Sequence, residues 1–317
     1  MVTKVVSKKR SGSFSGRVKK DFRRNKWLYV MILPVILYFL LFSYLPMTGI
    51  VIAFKDYKPG LGIWGSEWTS SFGMKHIIQF FNNPFLGRLI RNTVVISLYT
   101  LIFSFPAPII LSVMLNEIRF KKIRRVTQTI SYFPHFISTV VVCGMLRQFC
   151  LSDGLFNNIL GLFHISAQSW LQVPDAFRTL YVGSGIWQTI GWNSIIYIAA
   201  IAGVDTQLYE AAEMDGAGRW KKIWHITLPC IKPTIIILFI MQVGKMMSVG
   251  YEKIILLYNP AIYETADVIS SYVYRKGLLD SDWSYSTAVN LFNSVINFAL
   301  VIIANRVSKK ASETSLF

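Results

Sequence analysis

The chain has 317 residues, 53% hydrophobic and 15% charged, with a mean hydropathy of +0.44; a soluble domain of this size would be more polar. The formal net charge of +17 does not signal nucleic-acid binding, because the Lys and Arg residues sit in the N-terminal tail and at the ends of apolar runs, leaving no folded basic domain. Cys143, Cys150 and Cys230 form no CxxC pair, the four histidines lack metal-ligand spacing, and Gly244-Lys245 lacks the upstream glycine of a P-loop, so a disulfide framework, a metal site and a nucleotide site are not expected in this chain.

Long apolar runs separated by short charged clusters predict an all-α integral membrane protein. A basic tail occupies 1–26, a six-helix transmembrane domain 27–305, and a second basic tail 306–317. Residues 1–16, rich in Ser, Gly and Lys, read as disordered, and Phe22 to Trp27, with Arg23, Arg24 and Lys26, as a segment lying on an anionic membrane surface. The six spans are Trp27–Thr48, Asn92–Leu115, Val126–Phe149, Thr179–Val204, Pro233–Val249 and Tyr285–Ala304, each near the ~20 residues that a hydrocarbon core requires. No cleavage site follows the first, so it is not a signal peptide.

The first loop carries Ile77, Ile78 and Phe81 at near-helical spacing, which predicts an interfacial helix before the second span. In the third loop, Asp153–Phe163 reads as an amphipathic turn or short helix. The tails and the second and fourth loops together hold 22 Lys and Arg residues, against 10 in the first, third and fifth loops. The positive-inside rule therefore places both termini and the fourth loop in the cytoplasm.

The fourth loop, over 205–232, carries the sharpest pattern. Alanine-rich sequence around Glu210, Ala211 and Ala212 favours a short helix, with Asp205, Glu210 and Glu213 toward its positive end. Gly216 can break it, since glycine tolerates backbone angles that other residues resist. Arg219 to His225 predicts a second short helix, and Pro229 and Pro233 bracket the entry to the fifth span. The expected shape is a helix-turn-helix elbow at the membrane surface.

Two spans are unusually polar. The fourth carries Trp187, Gln188, Thr189, Trp192, Asn193 and Tyr197, with Thr189, Asn193 and Tyr197 recurring every four residues; the sixth carries Ser286, Asn290, Asn293 and Asn297 on one helix face. Aromatic faces and neutral hydrogen-bonding groups suit a sugar, but the same residues also serve as hydrogen-bonding glue between spans. Lys245 is the one charge expected in the central part of a span. It could attract an acidic sugar such as a uronate, snorkel, or pair with a neighbouring chain.

The loop pattern Glu210-Ala211-Ala212, three residues, Gly216, nine residues, then Ile226-x-Leu228-Pro229, with Asp215 beside the glycine, resembles the EAA loop of ABC importer permeases. Tyr44-Leu45-Pro46, Phe54-Lys55-Asp56-Tyr57, Tyr132-Phe133-Pro134, Leu256 to Pro260 and Glu264 to Ile269 extend the resemblance to the saccharide-uptake branch with the type I fold, most similar to permeases for polysaccharide fragments and complex oligosaccharides. The resemblance implies a bacterial cell-membrane permease subunit that is not itself an enzyme and imports by alternating access. Its partners would be a second homologous permease, two ATPase subunits that bind ATP and Mg, and an extracytoplasmic solute-binding protein. It also implies that an ATPase grips the 205–232 loop. The competing readings are a same-fold permease for an amino acid, peptide or anion, and a self-sufficient secondary transporter. The latter would need carboxylates within its spans, whereas all 16 Asp and Glu fall in loops or tails.

Overall fold

The structure, a computed structural model, describes residues 21–312; the tail expected to be disordered, residues 1–16, lies outside the described residues. The architecture is helical apart from one small hairpin absent from the sequence expectations. In it β1 (Lys55–Asp56) pairs antiparallel with β2 (Glu67–Trp68). The hairpin closes around Lys55, whose Nζ donates to the carbonyls of Ile63 (3.0 Å), Trp64 (3.3 Å) and Ser66 (3.1 Å).

Among the described residues, four helices are long and apolar enough to cross a bilayer: α1 (Lys26–Phe54), α3 (Leu86–Glu117), α9 (Arg219–Val243) and α12 (Trp283–Ser312). A bent pair, α4 (Lys121–Phe136) and α5 (Thr139–Phe149), makes a fifth if it counts as one span. Helix α7 (Pro174–Ala202) covers the fourth expected span but is not among the helices apolar enough to count as a crossing. Its 29 residues give about 43 Å of helix at 1.5 Å per residue, ample for a bilayer. Its polar residues keep it out of the apolar set. The expected helices in the first and third loops form as α2 (Lys75–Phe81) and α6 (Leu155–Gly161).

Two span expectations need correction. The third span is not one rod: α4 and α5 meet at 96°. Pro134 sits in the turn that closes α4, and the Ser138 hydroxyl accepts from Val141 N to start α5 anew. The fifth is displaced. Helix α9 starts at Arg219 and ends at Val243, so Pro229 and Pro233 lie inside the helical run rather than bracketing its entry, and Lys245 lies in the turn beyond its end.

Pro46, Pro106 and Pro229 fit because the helices widen locally, whereas Pro34 and Pro233 sit in regular α-helix. π-Turns occupy Leu40–Tyr44, Thr100–Ser104 and Ile223–Thr227, each two residues ahead of Pro46, Pro106 and Pro229. A proline removes one backbone donor and pushes on the carbonyl four residues back; in all three cases that carbonyl falls inside the widened turn, where the displacement is absorbed.

Helix α7 packs most extensively on the Pro106–Glu117 half of α3, and α12 on the Thr48–Phe54 end of α1 and on α9. Gly191 permits the approach of α7 to α4: a Cβ there would lie 2.1 Å from the Ser131 carbonyl oxygen. The densest core surrounds two short helices, α10 (Tyr251–Leu257) and α11 (Ile269–Tyr274), where Ile254, Leu257, Ile269 and Tyr272 pack against Phe177, Cys143, Leu89 and Tyr285. Asp267, fully buried, pairs with Arg275 (2.8 Å) and Arg88 (3.2 Å), and its carbonyl accepts from Asn92. Helix α1 is different, with none of its apolar window buried, as befits a surface meant for lipid or another chain.

Candidate functional site: an elbow and a polar cavity

The fourth loop folds as an elbow, except that Arg219 to His225, expected as a separate short helix, is the first part of α9. Helix α8 (Thr206–Met214) is N-capped by Asp205, whose Oδ1 accepts from Gln207 N at 3.0 Å. It ends in a Schellman closure: Gly216 N donates to Glu213 O (3.0 Å) and Ala217 N to Ala212 O (2.8 Å), with Gly216 at φ +74°. That left-handed angle is why glycine stands there. The chain then turns into α9. Two contacts tie the arms together: Tyr209 Oη with Thr227 Oγ1 at 2.9 Å, and Lys222 Nζ donating to Glu213. The hydrogen bond from Lys222 holds the Glu213 carboxyl below the usual carboxylate range.

Of the expected coupling residues, Glu210, Ala211, Asp215 and Gly216 are exposed around the tip and Ala212 is half-buried. Ile226, Leu228 and Pro229 lie on the second arm. Met214, 89% exposed, projects as an apolar knob at the turn.

Between α3, α7 and the far end of α9 lies a cavity of about 580 Å³. Helix α7 contributes Gln188, Thr189, Asn193 and Tyr197 to it, the end of α9 contributes Met241 and Gln242, and Lys245, Glu252 and Lys253 come from the segment beyond. The lining continues along α3 through Thr100 and Ser104. Carboxamides, hydroxyls and ammonium groups thus face one space, the chemistry that a polyhydroxylated solute requires.

The structure splits the expected substrate residues. Gln188, Asn193, Tyr197 and Lys245 line the cavity. Gln188 also donates to Ile137 O (3.0 Å), across the break between α4 and α5. Neither tryptophan lines it. Trp187 faces a separate apolar groove of about 350 Å³ with Phe149 and Phe156, and Trp192 stacks on the His135 ring at 4.4 Å. Two asparagines of the stripe on α12 bond to a neighbouring segment. Asn293 Nδ2 donates to Met247 O (2.8 Å), and Asn297 binds Met247 N (2.9 Å) and Ser248 Oγ (2.8 Å), fixing the turn beyond α9. Asn290 is exposed, its carbonyl accepting from Ser294.

Sequence reasoning missed Tyr181, Gly185, Gln242 and Lys253. The first two were legible: positions 181, 185, 189, 193 and 197 form one series at a spacing of four, which the expectation entered only at Thr189. Gln242 lies on the last turn of α9, and Lys253 reaches the cavity through the turn beyond that helix, which no periodicity predicts. Among the described residues no group of His, Cys, Asp or Glu could hold a metal.

Comparison with known proteins gives a consistent result. Residues 104–313 match the profile of the family described as binding-protein-dependent transport system inner membrane component. The chain is 44% identical to Protein LplB of Bacillus subtilis (strain 168), over 93% of this chain and 92% of that one. It is 45% identical to the polygalacturonan/rhamnogalacturonan transport system permease protein YteP of the same organism, over 93% and 91%. A chain in the crystal structure of a bacterial alginate ABC transporter, in complex with an alginate pentasaccharide-bound periplasmic protein, superposes with a TM-score of 0.86 at 42% identity, covering 95% of this chain and 100% of that one.

Proposed function

The chain belongs to the family of binding-protein-dependent transport inner membrane components, with the type I permease fold, and from that premise we infer that it imports oligosaccharides or polysaccharide fragments. It is a multi-pass permease subunit of an ABC importer rather than an enzyme, and ATP is hydrolysed on a separate subunit. The proposed assembly adds a second homologous permease, two ATPase subunits and a solute-binding protein. ATP and Mg would sit on the ATPase subunits. The Lys and Arg asymmetry supports six crossings with both termini and the elbow on the cytoplasmic side.

One observation carries the mechanism. The two helices that enter and leave the elbow, α7 and α9, are also walls of the polar cavity. An ATPase that grips the exposed tip at Met214, Asp215 and Gly216 therefore pulls directly on the cavity. In alternating access the cavity would open to one side at a time, the elbow transmitting ATP-driven closure. The saccharide reading draws on the cavity's neutral hydrogen-bonding groups and on the polysaccharide names of the relatives. The test is ATPase activity of the purified complex in nanodiscs, presented with its binding protein and a panel of oligosaccharides, amino acids and peptides. Stimulation by saccharides alone is expected. Stimulation by amino acids or peptides would reassign the cargo, and solute movement by this chain alone would remove the coupling role.

A further inference from the structure

The cavity holds an ammonium group that the fold positions without neutralising. Lys253 Nζ donates to Tyr181 O at 2.8 Å and sits 4.9 Å from the centre of the Tyr181 ring. Among the described residues no carboxylate lies within ion-pair distance of it. A lysine has three donors, and only one is taken. Room for the group comes from Gly185 on the same face of α7: a Cβ there would lie 3.4 Å from Nζ. Lys245 lines the same cavity and likewise makes no ion pair. Glu252 is the only carboxylate among the lining residues, so the ionisable side chains of the wall leave an excess of one positive charge.

Such an arrangement is costly unless a ligand uses it. A half-buried ammonium with one carbonyl partner forfeits much of its hydration. The Tyr181 carbonyl and ring hold the ammonium in the space beside Gly185, so little further ordering is needed on binding. We propose that Lys253, held by Tyr181 and Gly185 and seconded by Lys245, is the residue that selects oligosaccharides carrying carboxylates, reading a uronate group by a charge-assisted hydrogen bond while the amides and hydroxyls of α7 and α9 take the sugar hydroxyls. This deepens the oligosaccharide-import reading and rests on it. The sequence expectation weighed charge reading for Lys245, against snorkelling or pairing with a neighbouring chain, and did not consider it for Lys253.

The test compares wild type with Lys253→Met, Lys253→Arg and Gly185→Val in the assembled transporter with its binding protein in nanodiscs. Each is titrated with a uronate oligosaccharide and with the same compound after reduction of its carboxyl groups to alcohols, reading the half-saturating concentration for ATPase stimulation. Lys253→Met should raise that value about tenfold for the uronate, the loss of one charged hydrogen bond, and less than about twofold for the reduced compound. Lys253→Arg should restore most of the preference, and Gly185→Val, which displaces the ammonium, should mimic the Met variant. Equal losses for both compounds would assign Lys253 a structural role and overturn the proposal. A wild type stimulated only by neutral saccharides would overturn it too, while leaving oligosaccharide import intact. A wild type that no saccharide stimulates would remove the import reading, and this inference with it.

Discussion

Replacing Gly216 with valine isolates the backbone contribution to coupling. The residue sits at φ +74°, and a Cβ added there meets nothing within 4 Å, so no collision contributes. The penalty is that of holding an L-residue in the left-handed region, about 1–2 kcal/mol, and more for a β-branched side chain. A shift of that size reduces the population of the closed Schellman turn roughly 5- to 30-fold. The hydrogen bonds from Gly216 N and Ala217 N are lost with it, and Asp215 and Met214 are re-aimed. The tip is exposed, so the global fold should be little affected. Transport should fall because the ATPase meets a distorted knob. The assay is saccharide uptake into proteoliposomes, with substrate-stimulated ATPase and complex assembly measured in parallel. Gly216→Asn should retain much of the activity, because asparagine tolerates the left-handed conformation. Gly218→Ala is the matched control: its φ is −69° and its Cβ site is open, so it should behave as wild type. Wild-type uptake by Gly216→Val would refute the argument that this turn's geometry sets coupling.

Asp267→Asn leaves Arg88 and Arg275 without their shared buried carboxylate; a loss of about 3 kcal/mol or more is expected, read as a fall in the thermal unfolding temperature of the complex. Asn293→Ala strands the Met247 carbonyl at a cost of about 1–3 kcal/mol. Stability should fall while the preference between uronate and reduced oligosaccharide stays unchanged; a changed preference would restore Asn293 to the binding site. Gly191→Val places a side chain where even a Cβ lies 2.1 Å from the Ser131 oxygen, forcing α4 away from α7, and should lower the yield of folded protein. Gly183→Ala, with nothing within 4 Å, should express normally.

Much of the protein was determined by sequence alone because the relevant physics is local or one-dimensional. Apolar length specifies which segments can enter a bilayer, and the Lys and Arg asymmetry supplies an expected orientation. The elbow was legible down to its breaking residue, since the Asp205 cap, the alanine-rich arm and the left-handed angle at Gly216 all arise from contacts within a few residues. The tertiary structure decided the rest. Tryptophan content pointed to a sugar site, yet helical rotation sends Trp187 and Trp192 to other faces. The asparagine stripe on α12 admitted both pathway and glue, and in the fold Asn293 and Asn297 bond to the turn at Met247 and Ser248. Lys253, which no sequence pattern placed at the cavity, faces it without an ion pair because the chain beyond Val243 brings its ammonium to the Tyr181 carbonyl. Periodicity reports which residues share a face, but what that face meets depends on contacts between residues tens of positions apart, such as Lys253 and Tyr181, and these exist only in the folded chain.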